Sequence, residues 1–190
     1  RQRQMCIRDS RNAPALLKTF AQIKHDDENL YVAFRAFADK DEIRATIRSR
    51  DTGWLEDYVG VVIDTFGDDR YAIALGVNAL GSQLDLKQTP DDRDEDTSWN
   101  ILFFAETSFT DYGYSAAFKV PFAELRYPDE EIQEWSIGFV RKSFEPGAQT
   151  IFADFTVYAQ DQCFFCATDE IYVIQDLEET NRNYIYPYIT

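Results

Sequence analysis

The side chains with the clearest chemical potential are a tryptophan and the polar groups around it. Trp54 lies in the polar segment 50–57, directly before a strongly apolar run. Sugars present apolar C–H faces and a ring of hydroxyls, so proteins meet them with a flat aromatic ring and planar hydrogen-bonding groups. We therefore expect the Trp54 indole either to form a stacking platform for a sugar or to fold back over the core. In the first case Arg50, Asp57 and Asn78 are the expected hydrogen-bonding partners.

Two groups of acidic residues at turn-like positions could hold a hard cation. They are Asp39, Asp41 and Glu42 in one turn, and Asp64, Asp68 and Asp69 in another. Calcium takes about six to eight oxygen ligands from loops of this kind, although the Asp-x-Asp-x-Asp-Gly spacing is absent here. Two alternatives stay open: a structural Ca²⁺ bound by Asp39, Asp64 or Asp68, and ordinary solvated turns.

Motifs of the common enzyme classes are absent from the sequence. It contains no Gly-x-Ser-x-Gly, no His-Glu-x-x-His and no phosphate-binding loop, and His25 is its single histidine. Among 34 acidic residues, a glycosidase-like carboxylate pair would arise by chance. The sequence around Cys163 and Cys166 does not match a redox or zinc motif. We therefore expect these two cysteines to form a local disulfide or to remain as two thiols. We therefore expect a domain that is not an enzyme.

Charge and composition limit the classes of partner. The 190 residues carry 19 basic and 34 acidic side chains, a net charge of −15, and 15% of them are aromatic. Such a charge argues against binding to nucleic acid or anionic lipid, and the aromatic content argues against disorder. No run of about 18 apolar residues is present that could form a membrane-spanning helix. The composition fits one domain of a secreted or surface protein.

Short segments of alternating apolar and polar residues, separated by Gly, Pro and Asp turns, run through most of the chain. This pattern predicts an all-β protein, either an antiparallel β-sandwich or a barrel. A polar surface loop is expected over 81–97 and a short helical turn over 122–126. Strands are predicted at 19–24, 30–37, 58–66, 71–77, 101–107, 114–120, 135–141 and 151–158.

The two ends of the chain differ from its middle. Residues 1–10 are basic and aperiodic, and 5–10 resemble a translated sequencing adapter, so we expect an artefact there. The Tyr/Ile alternation over 184–190 predicts a further sandwich strand or the first strand of a following membrane barrel. We therefore expect a fragment truncated at both ends, with the sandwich domain over 11–158 and a linker with a possible barrel strand over 159–190.

Five segments, spread in order over more than half of the chain, match one known pattern: 30–32, 54–59 with 63–64, 77–78, 114–122 and 135–139. On these segments the chain resembles the family 9 carbohydrate-binding module. The resemblance implies an antiparallel β-sandwich that binds carbohydrate without catalysis, with Trp54 as one of two tryptophans enclosing a sugar ring. At the second tryptophan's position the sequence has no tryptophan, and Phe155 or Tyr158 is the expected substitute.

Runs at 62–70, 77–81 and 121–127 are more similar to one branch, the N-terminal domains of large bacterial outer-membrane barrel-type proteins. That likeness implies an extracytoplasmic location: the periplasm, cell surface or outer membrane of a Gram-negative bacterium. It also makes the downstream barrel a second expected partner. Three functions stay open: a carbohydrate-binding domain serving carbohydrate catabolism, a docking domain of the barrel that binds no sugar, and an accessory part of a glycoside hydrolase.

Overall fold

The computed structural model describes residues 3–6, 17–68, 70–89, 95–143, 151–153, 171–175 and 177. Tyr158, Cys163, Cys166 and the 184–190 segment lie outside this range. The described residues form eleven β-strands and two short 3-10 turns, Lys40–Glu42 and Phe122–Glu124. The strands are β1 (Arg3–Cys6), β2 (Thr19–His25), β3 (Asn29–Phe37), β4 (Tyr58–Asp64), β5 (Ala72–Asn78), β6 (Gln83–Gln88), β7 (Phe104–Thr110), β8 (Gly113–Pro121), β9 (Ile132–Lys142), β10 (Ile151–Ala153) and β11 (Ile171–Gln175).

These strands form two antiparallel sheets packed face to face, so the expected β-sandwich is confirmed. The first sheet has the order β1-β2-β3-β8-β7, and the second has the order β10-β9-β4-β5-β6, with β11 also paired to β9. The predicted hairpin over 19–37 is present as β2 and β3, joined at a turn that the Asp26 carboxylate closes by accepting from the backbone N–H groups of Glu28 and Asn29.

Alternate residues of the central strands supply the main core between the sheets. From β3 and β8 come Val32, Phe34 and Phe118, and from β4 come Val61 and Ile63, all at most 2% exposed. Trp135 of β9 is fully buried there. Burial of this apolar surface is the main free-energy term that holds the two sheets together.

The second sheet is buried on its outer face as well. Every residue of β4 and β5 is buried, which explains the nearly continuous apolar run of their sequences. The outward-facing Val62, Ala74 and Leu86 form a second apolar cluster, and Trp54 packs against it. The segment before β4 therefore covers this face and brings Trp54 onto it.

Two sequence interpretations are corrected by the strand pairing. The polar stretch predicted as a loop over 81–97 contains β6, which pairs with β5 over six residues. The polar residues of this stretch suggested a solvated loop, but Asp85 is fully buried among hydrogen-bonding partners. The sandwich also continues past residue 158, since Ile171–Gln175 pairs with β9 and buries Tyr172 and Ile174 in the main core.

The remaining differences are smaller. Residues Arg3–Cys6 pair with β2 along the edge of the first sheet, and their origin as adapter sequence stays a prediction. The strand predicted over 101–107 begins later, at Phe104, because Ile101 is held by the Asp85 carboxylate. Within the described part of the chain, no helix has the length and apolar character needed to cross a bilayer.

Candidate functional site

Trp54 lies on the outer face of the second sheet, close to the start of β4. Its ring meets that of Tyr58 edge to face, with centroids 5.5 Å apart and an interplanar angle of 89°. It also packs against Leu84 and Val140, the neighbours of Tyr58 on the same face. Trp54 is partly exposed and stays outside the main core, so it combines both alternatives drawn from the sequence: it covers an apolar surface and keeps part of itself in contact with solvent.

Polar groups surround this indole at the end of the sheet. The Lys142 ammonium donates to the Trp54 carbonyl oxygen at 2.8 Å. Partial burial raises the pKa of the nearby Glu95 carboxyl, and the positive charge of Lys142 opposes that rise. The Trp54 Nε1–H is buried and has no hydrogen-bond partner among the described residues. Together they place a cation, a carboxyl and an aromatic ring within one small area.

Neither Lys142 nor Glu95 was singled out from the sequence. Lys142 reaches Trp54 because it lies opposite Tyr58 in the β4–β9 ladder, a pairing between residues more than eighty positions apart. Glu95 lies within the 81–97 stretch that the sequence predicted as a polar surface loop. Neither contact can be predicted from the local sequence pattern, since both depend on the order of strands in the sheet.

Asn78 and Asp57 lie beneath the surface, where their polar atoms bind the chain itself. The Asn78 amide donates to the Thr46 carbonyl oxygen at 2.8 Å and to the Glu56 carboxylate at 2.7 Å. The Asp57 carboxylate accepts from the backbone N–H of Arg44 at 3.0 Å. Both side chains are at most 1% exposed. They fix the segment before β4 against the sheet, and direct contact with a sugar stays a prediction for them.

Glu56, which the sequence did not single out, is the centre of this support. Burial disfavours its charge, but hydrogen bonds from Arg48, Thr46 and Asn78 outweigh that cost and lower its pKa to about 2. Arg48 Nε lies 2.6 Å from the carboxylate. Since Glu56 is two residues after Trp54, this ionised group helps to fix the backbone that presents the indole.

Arg50 also holds the chain in place, through contacts at the edge strand β6. Its Nε lies 2.6 Å from the Asp85 carboxylate, Nη1 donates to the Gln83 side chain at 3.1 Å, and Nη2 donates to the carbonyl oxygen of Ile101. The guanidinium also lies over the Phe103 ring, 5.1 Å from its centroid. The side chain is 31% exposed, so Arg50 is positioned mainly by the protein, and sugar contact stays a prediction for it.

Two carboxylates meet beside Arg50 and give the site a pH dependence. Burial, with a smaller contribution from the neighbouring Asp85 carboxylate, raises the pKa of Asp51 from its ordinary 3.8 to about 6. Asp51 also has a φ of 62°, and its Oδ1 accepts from the Asp85 backbone N–H at 2.6 Å. Asparagine tolerates this backbone region and keeps an oxygen acceptor without a charge.

Replacing Asp51 with asparagine should therefore stabilise the protein at pH 7.5 by about 1 kcal/mol, after allowance for solvent screening. The raised folded-state pKa means that the Asp51 contribution to stability is complete below about pH 3.8 and is lost as the pH rises through about 6. Urea unfolding at several pH values between 4 and 7.5 would show the difference between variant and parent growing with pH, and a constant difference would contradict the assignment.

The aspartates predicted to bind calcium accept hydrogen bonds from the backbone of their own turns. The Asp39 carboxylate caps the 3-10 turn by accepting from the Asp41 backbone N–H, and Asp64 Oδ1 accepts from Phe66 and Gly67 at 2.9 Å. Asp68 accepts from the backbone of Arg70 in the same manner. Within the described ranges no group of three or more acidic, His or Cys side chains could hold a metal ion. Calcium binding by Asp39, Asp64 or Asp68 stays a prediction of the sequence.

The arrangement of strands is similar to that of solved carbohydrate-binding modules. A family 9 module from Caldicellulosiruptor kristjanssonii in complex with cellotriose has a TM-score of 0.62 and 17% identity, over 99% of this chain and 88% of that one. A proposed carbohydrate-binding protein from Bacteroides uniformis ATCC 8492 has a TM-score of 0.61 and 10% identity, over 80% and 76%. The Caldicellulosiruptor kristjanssonii module in complex with glucose has a TM-score of 0.55 and 17% identity, over 92% and 83%.

At these identities the likeness establishes the fold. No protein-family profile matches the sequence, and no curated protein matches it either. The strand pairing and the superpositions agree on a two-sheet antiparallel sandwich. The chain therefore has the fold of family 9 carbohydrate-binding modules.

Proposed function

We propose that this chain is a non-catalytic carbohydrate-binding domain that holds a neutral saccharide against Trp54. The observation that carries the proposal is the partly exposed indole mounted on the outer face of the second sheet, with Lys142 and Glu95 beside it. Proteins of the same fold bind cellotriose and glucose. Export and a role in carbohydrate catabolism are implied only by the resemblance of the sequence to known families, and they stay predictions.

The proposed binding mode is a stacking contact with polar groups at its edge. The apolar C–H face of a pyranose would lie on the exposed part of Trp54, and its hydroxyls would meet the Lys142 ammonium and the Glu95 carboxyl. With a net charge of −15, the protein disfavours anionic glycans by repulsion, so a neutral sugar is the expected class. A single aromatic contact with few polar partners corresponds to a Kd of about 0.1 to 1 mM.

Replacing Trp54 with alanine should remove this binding, because the neighbouring Tyr58 ring is only 6% exposed and offers little surface for stacking. We expect affinity at this site to fall at least tenfold, measured by isothermal titration calorimetry with cellotriose and by retention in gels containing soluble glycans. Phe109→Ala is the matched control, since it removes a 46% exposed ring from the first sheet. Unchanged binding by a folded Trp54→Ala variant would reject the proposal.

A further inference from the structure

A large cleft opens at the end of the sandwich that lies away from Trp54. It has a volume of about 670 Å³, within the range of small-molecule sites in proteins. The cleft forms where β4 and β6 end and β5 begins, and Ile73, Ile101 and Leu125 of the main core make up its floor. We call it the Trp99 cleft, and its walls are Phe66, Tyr71, Trp99, Lys87, Asn100 and Arg126.

Three aromatic side chains give this cleft exposed flat surface. Phe66 is 44% exposed and meets Tyr71 edge to face, with ring centroids 6.1 Å apart. Tyr71 and Trp99 both pack against the main core with one side and keep part of their surface exposed. Three partly exposed aromatic residues around one concave space mark a binding site more than a solvated surface.

Polar groups of both charges complete the rim. Lys87 and Arg126 are balanced by Asp68 and Glu124, which line the same cleft. Lys87 already lies 3.6 Å from the Asp96 carboxylate, and the Arg126 charge acts on the phenol of Tyr71, where it opposes the rise in pKa caused by burial. A cleft with balanced charge inside an acidic protein selects for a neutral ligand that offers both hydrogen-bond donors and acceptors.

The cleft is separate from the area around Trp54. Trp54 precedes the first residue of β4, Tyr58, whereas Thr65 and Phe66 follow its last residue, Asp64. Six residue steps along a strand span about 20 Å, which is longer than one sugar ring and its substituents. One sugar ring therefore cannot contact Trp54 and the Trp99 cleft at the same time, so that replacing either tryptophan tests one site at a time.

We propose that the Trp99 cleft is a second binding site, for a short neutral oligosaccharide. Trp99, Tyr71 and Phe66 supply the aromatic faces, and Asn100, Lys87 and Arg126 supply hydrogen bonds to the hydroxyls. The choice of ligand class rests on the proposed function, while the location of the site rests on the geometry of the cleft. Two separate sites on one domain raise the avidity for a polymer without any new contact at either site.

Calorimetry with cellotriose, xylotriose and maltotriose tests the proposal on four proteins: the parent chain, Trp54→Ala, Trp99→Ala and the double variant. We expect two equivalents for the parent, one for each single variant and none for the double variant. Because Trp99 packs against the core, Asn100→Ala and Arg126→Gln serve as second variants at exposed positions. Each should weaken the second equivalent at least tenfold with an unchanged melting temperature, and Phe109→Ala should change neither equivalent.

The two proposals fail in different ways. One equivalent in the parent, lost in Trp54→Ala and unchanged in Trp99→Ala, Asn100→Ala and Arg126→Gln, would overturn the second site and leave the Trp54 site in place. One equivalent lost only in the Trp99 cleft variants would support the cleft and reject the Trp54 site. Binding of an apolar dye in the cleft without any saccharide binding would overturn the assigned ligand class.

Discussion

Replacing Gly113 with alanine should lower the free energy of unfolding by roughly 4 kcal/mol or more, a large share of the about 5 to 15 kcal/mol that is typical of a folded domain. Gly113 begins β8 directly after the turn from β7, with a φ of 135° that other residues rarely adopt. A Cβ at this position would overlap the backbone oxygen of Ala36 and come within 2.8 Å of the backbone nitrogen of Ala38. Both atoms belong to the backbone of the adjacent chain segment, so neither can move without breaking the ladder between β3 and β8.

Gly81→Ala is the matched control, because it separates backbone strain from steric overlap. Gly81 also has a positive φ, of 90°, but the nearest atom to its added Cβ is the Thr107 hydroxyl at 3.6 Å. We expect a loss of only about 1 kcal/mol there. Urea unfolding of both variants gives the comparison, and equal losses at the two positions would show that overlap at Gly113 is not the dominant cause.

Much of this fold follows from sequence pattern alone. The hairpin of β2 and β3 and the strands β4, β5, β8 and β9 were all predicted within a few residues, because alternation and continuous apolar runs report burial on one or both faces. Strand β6 was missed for a physical reason. Its inward-facing Asp85 is satisfied by Arg50 and Ile101, and partners at that distance along the chain leave no local signal.

The candidate site was predictable only in part. Trp54 was chosen as a candidate because of its polar surroundings. The groups near it, Lys142 and Glu95, are placed there by strand pairing and by a loop that is distant in sequence. Asp57 and Asn78 have the right chemistry for sugar binding and are near Trp54, yet their hydrogen bonds hold the chain. Residue type and proximity thus predicted a polar neighbourhood, whereas the direction of each side chain depended on tertiary packing.

Replacing Arg141 with methionine should cost about 3 kcal/mol, the second large loss of stability that we expect. Arg141 is fully buried and projects from β9 into the space between the sheets. Its Nη1 donates to the Thr19 hydroxyl at 2.7 Å and to the Lys18 carbonyl oxygen at 3.2 Å, and Nη2 donates to the Phe37 carbonyl oxygen at 2.8 Å. Methionine fills much of the same volume but leaves these acceptors buried without their donor.

Arg35→Met is the control for the loss of an arginine in itself, since Arg35 is exposed on β3 and its replacement should change stability by less than about 0.5 kcal/mol. Thr19→Val removes the hydroxyl that accepts from Arg141 and donates to the Leu17 carbonyl oxygen at 3.5 Å, and it should give a loss of about 1 kcal/mol. A buried ion replaced by an apolar side chain sometimes leaves stability unchanged. Urea unfolding decides between the two outcomes: a loss below about 1 kcal/mol for Arg141→Met would mean that the guanidinium fixes the alignment of the two sheets without stabilising their contact.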